Sequence, residues 1–295
     1  MLCMPEIVDN ALRRAPVALL TGLALLAFAA NSLLCRAALA PGLVDPASFT
    51  AVRVASGALV LALLSRRPGA AGGRADGRMV LALFGYMAGF SYAYQYLGAA
   101  TGALLLFGAV QLTMFAAGLW QGERYGPVAW LGLALAAGGL AWLVAPGLSA
   151  PHPLGAALMV VAGIAWGVYS LLGRGTERPL PATASAFAWC LPPALLLLVL
   201  QWPDLHLDGA GLLLAVCSGA LASALGYVIW YAALRSLRAG TAATVQLAVP
   251  VLAALGGVVL LQEGLSLRLG LSAAATIGGI AMVLLRQAGT RERGT

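Results

Sequence analysis

Ten runs of mostly apolar residues, separated by short loops that hold nearly all the charge, fill this chain almost end to end. A bilayer core roughly 30 Å thick takes about 20 such residues per helix. The runs cover 17–36, 46–64, 79–97, 101–119, 127–144, 153–172, 182–200, 211–234, 240–261 and 269–285. Only 9% of the 295 residues are charged, against the roughly 25% of ordinary soluble domains. Such a chain cannot coat a water-exposed surface. The expected fold class is all-α: a polytopic membrane protein of about ten transmembrane helices. Breakers mark most junctions: Pro41-Gly42, Pro68-Gly69, Pro146-Gly147, Pro179 and Pro203. The very short junction near Gly98 predicts a tight antiparallel hairpin of spans three and four.

Arg13-Arg14, an apolar run and Ala27-Phe28-Ala29 imitate a cleavable signal peptide. The run continues through Leu34, too long for that, so it reads as the first span. Every basic residue is an arginine, and 14 of the 17 fall on one side of the ten-span drawing. The other side holds Arg36 and Arg268, while Arg53 lies within span two. Positively charged loops stay cytoplasmic, which predicts both termini inside a cell inner (plasma) membrane.

The two halves repeat. Ser32-Leu33-Leu34-Cys35-Arg36 matches Ser170-Leu171-Leu172-Gly173-Arg174. Thr101, Glu123 and Gly138-Gly139 recur at the same spacing as Thr241, Glu263 and Gly278-Gly279. Five spans is an odd number, so a second copy enters from the opposite side. Residues 1–148 and 149–295 therefore read as two inverted five-helix repeats, an architecture common among secondary transporters.

The net charge of +7 forms no basic stripe with interleaved aromatics, so no nucleic-acid partner is expected. Cys3, Cys35, Cys190 and Cys217 lack the spacing of a metal or redox motif. No Walker motif is present, no Asp or Glu lies mid-span, and His152 and His206 fall in loops. Neither a cofactor nor a bound metal is expected. A membrane-embedded enzyme needs an acid, base or nucleophile near the reaction; buried titratable groups here reduce to Arg53 and cysteines with no partner histidine.

Arg53, Gln121-Gly122-Glu123, Ala165-Trp166-Gly167, Pro250 and Gln262-Glu263, in that order within ten spans, resemble the drug/metabolite transporter superfamily and its bacterial EamA-type members. The chain departs from them at Phe28-Ala29, where Trp-Gly is frequent, and at Val110, the repeat partner of Pro250. The resemblance implies alternating-access movement of a small polar metabolite, often an amino acid and often outward. A non-transporting receptor or scaffold is the alternative.

Polar groups deep in hydrocarbon are costly and face a cavity or a partner helix. The candidates for substrate binding are Gln111 and Trp166, then Asn31 and Tyr227, with Gln246 and Arg53. Gln246 precedes Pro250, whose missing N–H frees a carbonyl. Arg53 is placed either to hold a substrate carboxylate or to snorkel toward Asp45. Tyr92, Gln95 and Tyr96, and likewise Tyr227, Trp230 and Tyr231, share helix faces; both sets suit interfacial belts, with Tyr227 the deepest. Glu123 and Glu263 close spans four and nine, placed to pair across the repeat. These residues predict a midplane cavity lined by spans one, three, four, six, eight and nine. Spans five and ten, small and apolar, suit a periphery facing lipid or a second copy in a homodimer.

Topology is checked by reporter fusions. Fusions after Arg78 and Arg178 should report cytoplasm, and fusions near His152 and His206 periplasm; a cytoplasmic reading at His152 refutes the drawing.

Overall fold

The computed structural model describes residues 15–65, 76–147, 150–173, 179–237 and 239–292. Arg13, Arg14, Arg66, Arg67, Arg74, Arg174, Arg178, Arg238, Arg293 and Cys3 lie outside them, so the loop-charge expectation rests largely on undescribed positions.

The described chain is helical apart from its loops. Spans one to six are single helices: α1 Val17–Leu39, α2 Pro46–Ser65, α3 Gly77–Ala93, α4 Ala99–Trp120, α5 Pro127–Val144 and α6 Pro153–Gly173. Span seven is two helices, α7 Pro179–Trp189 and α8 Leu191–Leu200. They part at Cys190, just before Pro192-Pro193, whose missing N–H groups cannot continue the ladder. Pro179, read as a breaker, instead opens α7, where a first-turn proline is tolerated. Span eight runs from α9 Gly209–Val216 through a π-helical segment, Cys217–Leu225, into α10 Gly226–Leu234. Span nine is α11 Ala239–Gln246 and α12 Ala248–Leu261, broken at Leu247; the carbonyl that Pro250 cannot serve is that of Gln246. Span ten is α13, Leu267–Glu292.

Nine of these spans are long and apolar enough to cross a bilayer. The tenth, α3, has 17 residues and is about 26 Å long at 1.5 Å per residue. Large apolar side chains cover the outside: Leu81, Trp120, Val199, Leu260 and Leu267 are all well exposed. In water such a surface would aggregate; in lipid it is the solvated face. This is an integral membrane protein.

The turn at Gly98 is short, as the sequence predicts. However, α3 and α4 do not pair along their lengths. Both pack on α6 instead. A Cβ on Gly89 would sit 3.2 Å from the Leu158 carbonyl, and one on Gly163 only 2.6 Å from that of Leu106. These glycines let the α6 backbone wedge between the two helices. On the opposite side, α1 packs in the same way on α10 and α12. The other principal pairs are α2 with α7, α2 with the π segment, α4 with α12, and α5 with α13.

Helices α5 and α13 meet through the repeated glycines. A Cβ on Gly139 would press on the Ser272 carbonyl at 3.0 Å, and one on Gly279 would overlap the Gly132 carbonyl. Their neighbours Gly138 and Gly278 face open space. With no hydrophobic drive between helices in lipid, close packing of small residues carries the association.

That contrast gives a paired test. Gly279→Ala should cost about 1–3 kcal/mol through overpacking and lower the thermal midpoint in detergent by several degrees. Gly278→Ala should be neutral or slightly stabilising, since alanine favours helix by up to ~1 kcal/mol over glycine. Equal effects would mean that the α5–α13 contact is loose.

Candidate functional site

Near the middle of the bundle lies a cavity of about 20 Å³, room for one or two waters at the ~10–15 Å³ each needs. Its walls come from α1, α3, α4, α6, span eight and α11, the six spans on which mid-span polar and aromatic residues concentrate. Asn31, Trp166, Tyr227 and Gln246 all line it.

The aromatic wall centres on Trp166. Its ring lies 4.7 Å from Tyr86 and stacks on Tyr169 and Tyr227, each at 5.3 Å. Phe28 reaches Tyr227 at 6.1 Å and Trp230 at 5.9 Å. Trp230 and Tyr231 were expected in an interfacial belt. Trp230 is instead buried against Phe28, and the Tyr231 hydroxyl shares a hydrogen bond with Thr183 at 3.1 Å.

The polar wall centres on Tyr86. Its phenol oxygen accepts from Asn31 Nδ2 at 3.3 Å and from Arg53 Nη2 at 3.0 Å. Asn31 Oδ1 accepts from Ser218 Oγ at 2.7 Å. Ser223 Oγ accepts from Arg53 Nε and Nη2, both at 3.3 Å. Ser218 and Ser223 belong to the π segment, where a Cβ on Gly219 would collide with the Arg53 carbonyl. This close approach brings both serines under α1 and α2. Wide π turns inside α-helices are frequent at functional sites.

Arg53 is fully buried, with 0% exposure. It does not snorkel to Asp45, whose carboxylate instead accepts the backbone N–H groups of Ser48 at 2.8 Å and His206 at 2.9 Å. The guanidinium also faces the rings of Tyr86 and Phe90 at 5.3 and 5.1 Å. Its Nη1 has no hydrogen-bond partner among the described residues. Arginine at a helix centre costs roughly 2.5–3.5 kcal/mol on insertion scales, and among the described residues only neutral dipoles and ring faces offset that.

Gln111, the first choice from the sequence, is buried in α4 but is not among the cavity-lining residues, and its amide nitrogen has no partner among the described residues. Tyr86, by contrast, was missed. Its signal was available, since a tyrosine hydroxyl deep within a span needs a partner.

On the side of the bundle that holds Arg36 and Arg268, Arg36 Nε pairs with Glu263 Oε1 at 2.9 Å. The other carboxylate oxygen accepts from the Ala99 amide at 2.7 Å, and Arg36 Nη1 donates to the Tyr94 carbonyl at 3.1 Å. The ends of α1, α4 and α12 are thereby tied to the turn between α3 and α4. Glu123, at the matching position of the first half, is exposed and accepts instead from Tyr125 of its own loop at 2.6 Å.

A ten-span bundle that encloses a small polar and aromatic cavity at mid-depth is the architecture of a membrane transporter. Residues 153–285 match the EamA-like transporter family. Over 278 residues the chain is 55% identical to an uncharacterised protein of Pseudomonas aeruginosa, covering 93% of this chain and 96% of that one. A protein of known crystal structure superposes with a TM-score of 0.64 at 22% identity, covering 92% of this chain and 97% of its own, a likeness of fold. The chain belongs to the EamA-like transporter family.

The unpaired Gln111 amide yields a stability prediction. A buried unsatisfied donor costs about 1–3 kcal/mol, so Gln111→Leu should leave the thermal midpoint in detergent unchanged or raised. A clear drop would reveal a hydrogen-bond partner for the side chain.

Proposed function

We propose that this chain is a secondary transporter that moves a small polar metabolite outward across the inner membrane by alternating access. It works as two inverted five-helix repeats, residues 1–148 and 149–295. The observation that carries the reading is the mid-depth cavity, to whose walls each half contributes three spans. The helix pairings support the repeat. Exchanging each span with the one five places away returns α3–α6 as α10–α1, α4–α6 as α12–α1, and α5–α13 as itself. The lining residues fit the same exchange: Trp166 falls at the repeat position of Phe28, and Gln246 at that of Leu106.

Rocking one repeat against the other exposes a central site to each side in turn. Trp166, Asn31, Tyr227 and Gln246 contact the substrate once the helices part far enough to admit it. Gln111 lies off that cavity and joins the path when the bundle opens. The Arg36–Glu263 cluster closes the periplasmic face and must part for release.

Two measurements test this. Proteoliposomes loaded with a labelled amino-acid pool should show protein-dependent counterflow, slowed by Gln111→Leu and by Trp166→Ala in properly inserted protein. Absence of any flux would leave the receptor or scaffold reading. For closure, Cys35 lies buried beside Arg36. In a variant retaining only that cysteine, a membrane-impermeant maleimide should label it slowly in whole cells. Glu263→Gln removes a charged hydrogen-bond acceptor, a loss of roughly 1.5–3 kcal/mol, and should speed labelling about tenfold or more. An unchanged rate would show that this face is not held by the ion pair.

A further inference from the structure

The charge balance around the cavity identifies the class of solute that it takes, given that the chain is a transporter. Among the described residues, Arg53 is the one charged side chain touching the cavity wall, through Tyr86 and Ser223. None of the lining residues is acidic. A guanidinium in low dielectric with no carboxylate beside it makes the surrounding space positive. That repels cations and favours anions far more strongly than the same charge would in water. The two wall hydroxyls sharpen the preference. Tyr86 Oη and Ser223 Oγ each accept from Arg53, so each hydroxyl keeps its own proton to donate. A hydroxyl that accepts from a guanidinium is polarised into a stronger donor. Two such donors, backed by an arginine whose Nη1 is unpaired, form an anion-binding corner.

The adjoining wall is aromatic. Trp166 and Tyr227 stack on each other, and together with Phe28 and Leu106 they give the cavity an apolar surface. Flat or apolar bodies pack on such faces, while a strongly hydrated multiply charged anion such as a phosphate ester would gain nothing there. We propose that the cavity selects a small monocarboxylate with an aromatic or apolar body. Tyr86 and Ser223 contact the carboxylate, Arg53 supplies the counter-charge behind them, and Trp166 holds the body. As described, the cavity of about 20 Å³ is closed down, so entry requires the helices to part first.

The probes are phenylacetate, its neutral isostere phenylacetamide, and the cation phenethylamine. Purified protein in nanodiscs should bind radiolabelled phenylacetate saturably. Phenylacetamide and phenethylamine should compete at least about tenfold more weakly, the scale of one charge-assisted hydrogen bond. Arg53→Gln should abolish the preference for the anion, Arg53→Lys should keep part of it, and Tyr86→Phe should weaken phenylacetate binding about tenfold. The competition series on the unmodified protein stands even if an Arg53 variant fails to fold. Equal competition by the amide, tighter binding of the amine, no saturable binding to monodisperse protein, or full preference in folded Arg53→Gln would each overturn the assignment. Flux distinguishes this failure from that of the transport reading. Protein-dependent counterflow of neutral or cationic solutes without anion preference keeps the transporter and discards the carboxylate. Saturable phenylacetate binding without phenylacetate flux keeps the carboxylate site and discards the transporter.

Discussion

In hydrocarbon no water is available to a backbone N–H or C=O, so each must find its partner within its own helix. Spans one to six obey this with unbroken helices. Spans seven, eight and nine do not: each departs from the α ladder, at Cys190, across Cys217–Leu225 and at Leu247. Irregular backbone at membrane depth is tolerated only against protein or a water-filled space. The three departures meet that condition. Cys190 is buried and donates to the Val80 carbonyl at 3.6 Å, the π segment lies on α1 and α2, and the break at Leu247 directly follows the cavity-lining Gln246. In the first half, α2, α3 and α4 are each one unbroken helix. The halves thus share helix pairings but not local backbone, and the irregular half is where a helix can bend without losing ladder bonds to lipid.

The π segment also explains how the chain retains a buried cation. A regular helix in span eight would place its side chains every 100° and could not bring Ser218 and Ser223 to α1 and α2 together without Gly219 at the contact. Widening the turn and removing a Cβ together bring Ser223 to the Arg53 guanidinium and Ser218 to Asn31. The resulting chain of hydrogen bonds runs Arg53–Tyr86–Asn31–Ser218 across four spans. Its members are neutral except for the first. Desolvation of the charge is therefore offset by dipoles and by the faces of Tyr86 and Phe90, not by a counter-ion.

How much of this was written in the sequence depends on the period at which it is written. Span count and approximate bounds follow from hydropathy over twenty residues, and the described helices keep to them. The repeated Gly-Gly pairs could be read as packing sites, and Gly139 and Gly279 lie where α5 and α13 touch. The set of spans around the cavity was legible because mid-span polar residues concentrate on those helices. Which face of each helix turns inward was not. Gln111 and Asn31 look alike in sequence, yet only Asn31 lines the cavity. Rotation and neighbour choice are set by small-residue contacts such as Gly163 on Leu106, and with 37 glycines no spacing singles out those that matter. The splayed arrangement of α3 and α4 escaped for the same reason: a short turn limits the distance between helix ends, not the angle between helices.

Two arginines illustrate what depth does to one side chain. Arg36 ends a helix, has a carboxylate within 2.9 Å and two carbonyls beside it, and retains partial exposure. Arg268 likewise spans the last carbonyls of α5, where a cation meets the negative end of the helix dipole. These are the two arginines that break the loop-charge pattern, and each is occupied with holding helix ends together. Among the described residues Arg53 has none of this: no carboxylate, no helix end and no exposure. A structural arginine at such depth would be expected to find a buried acid or a row of carbonyls, because unpaired charge in low dielectric is strongly destabilising. The folded chain brings it neutral hydroxyls and ring faces instead. The two outer arginines tie helix ends together; the inner one, in the reading proposed above, gives the enclosed space its sign.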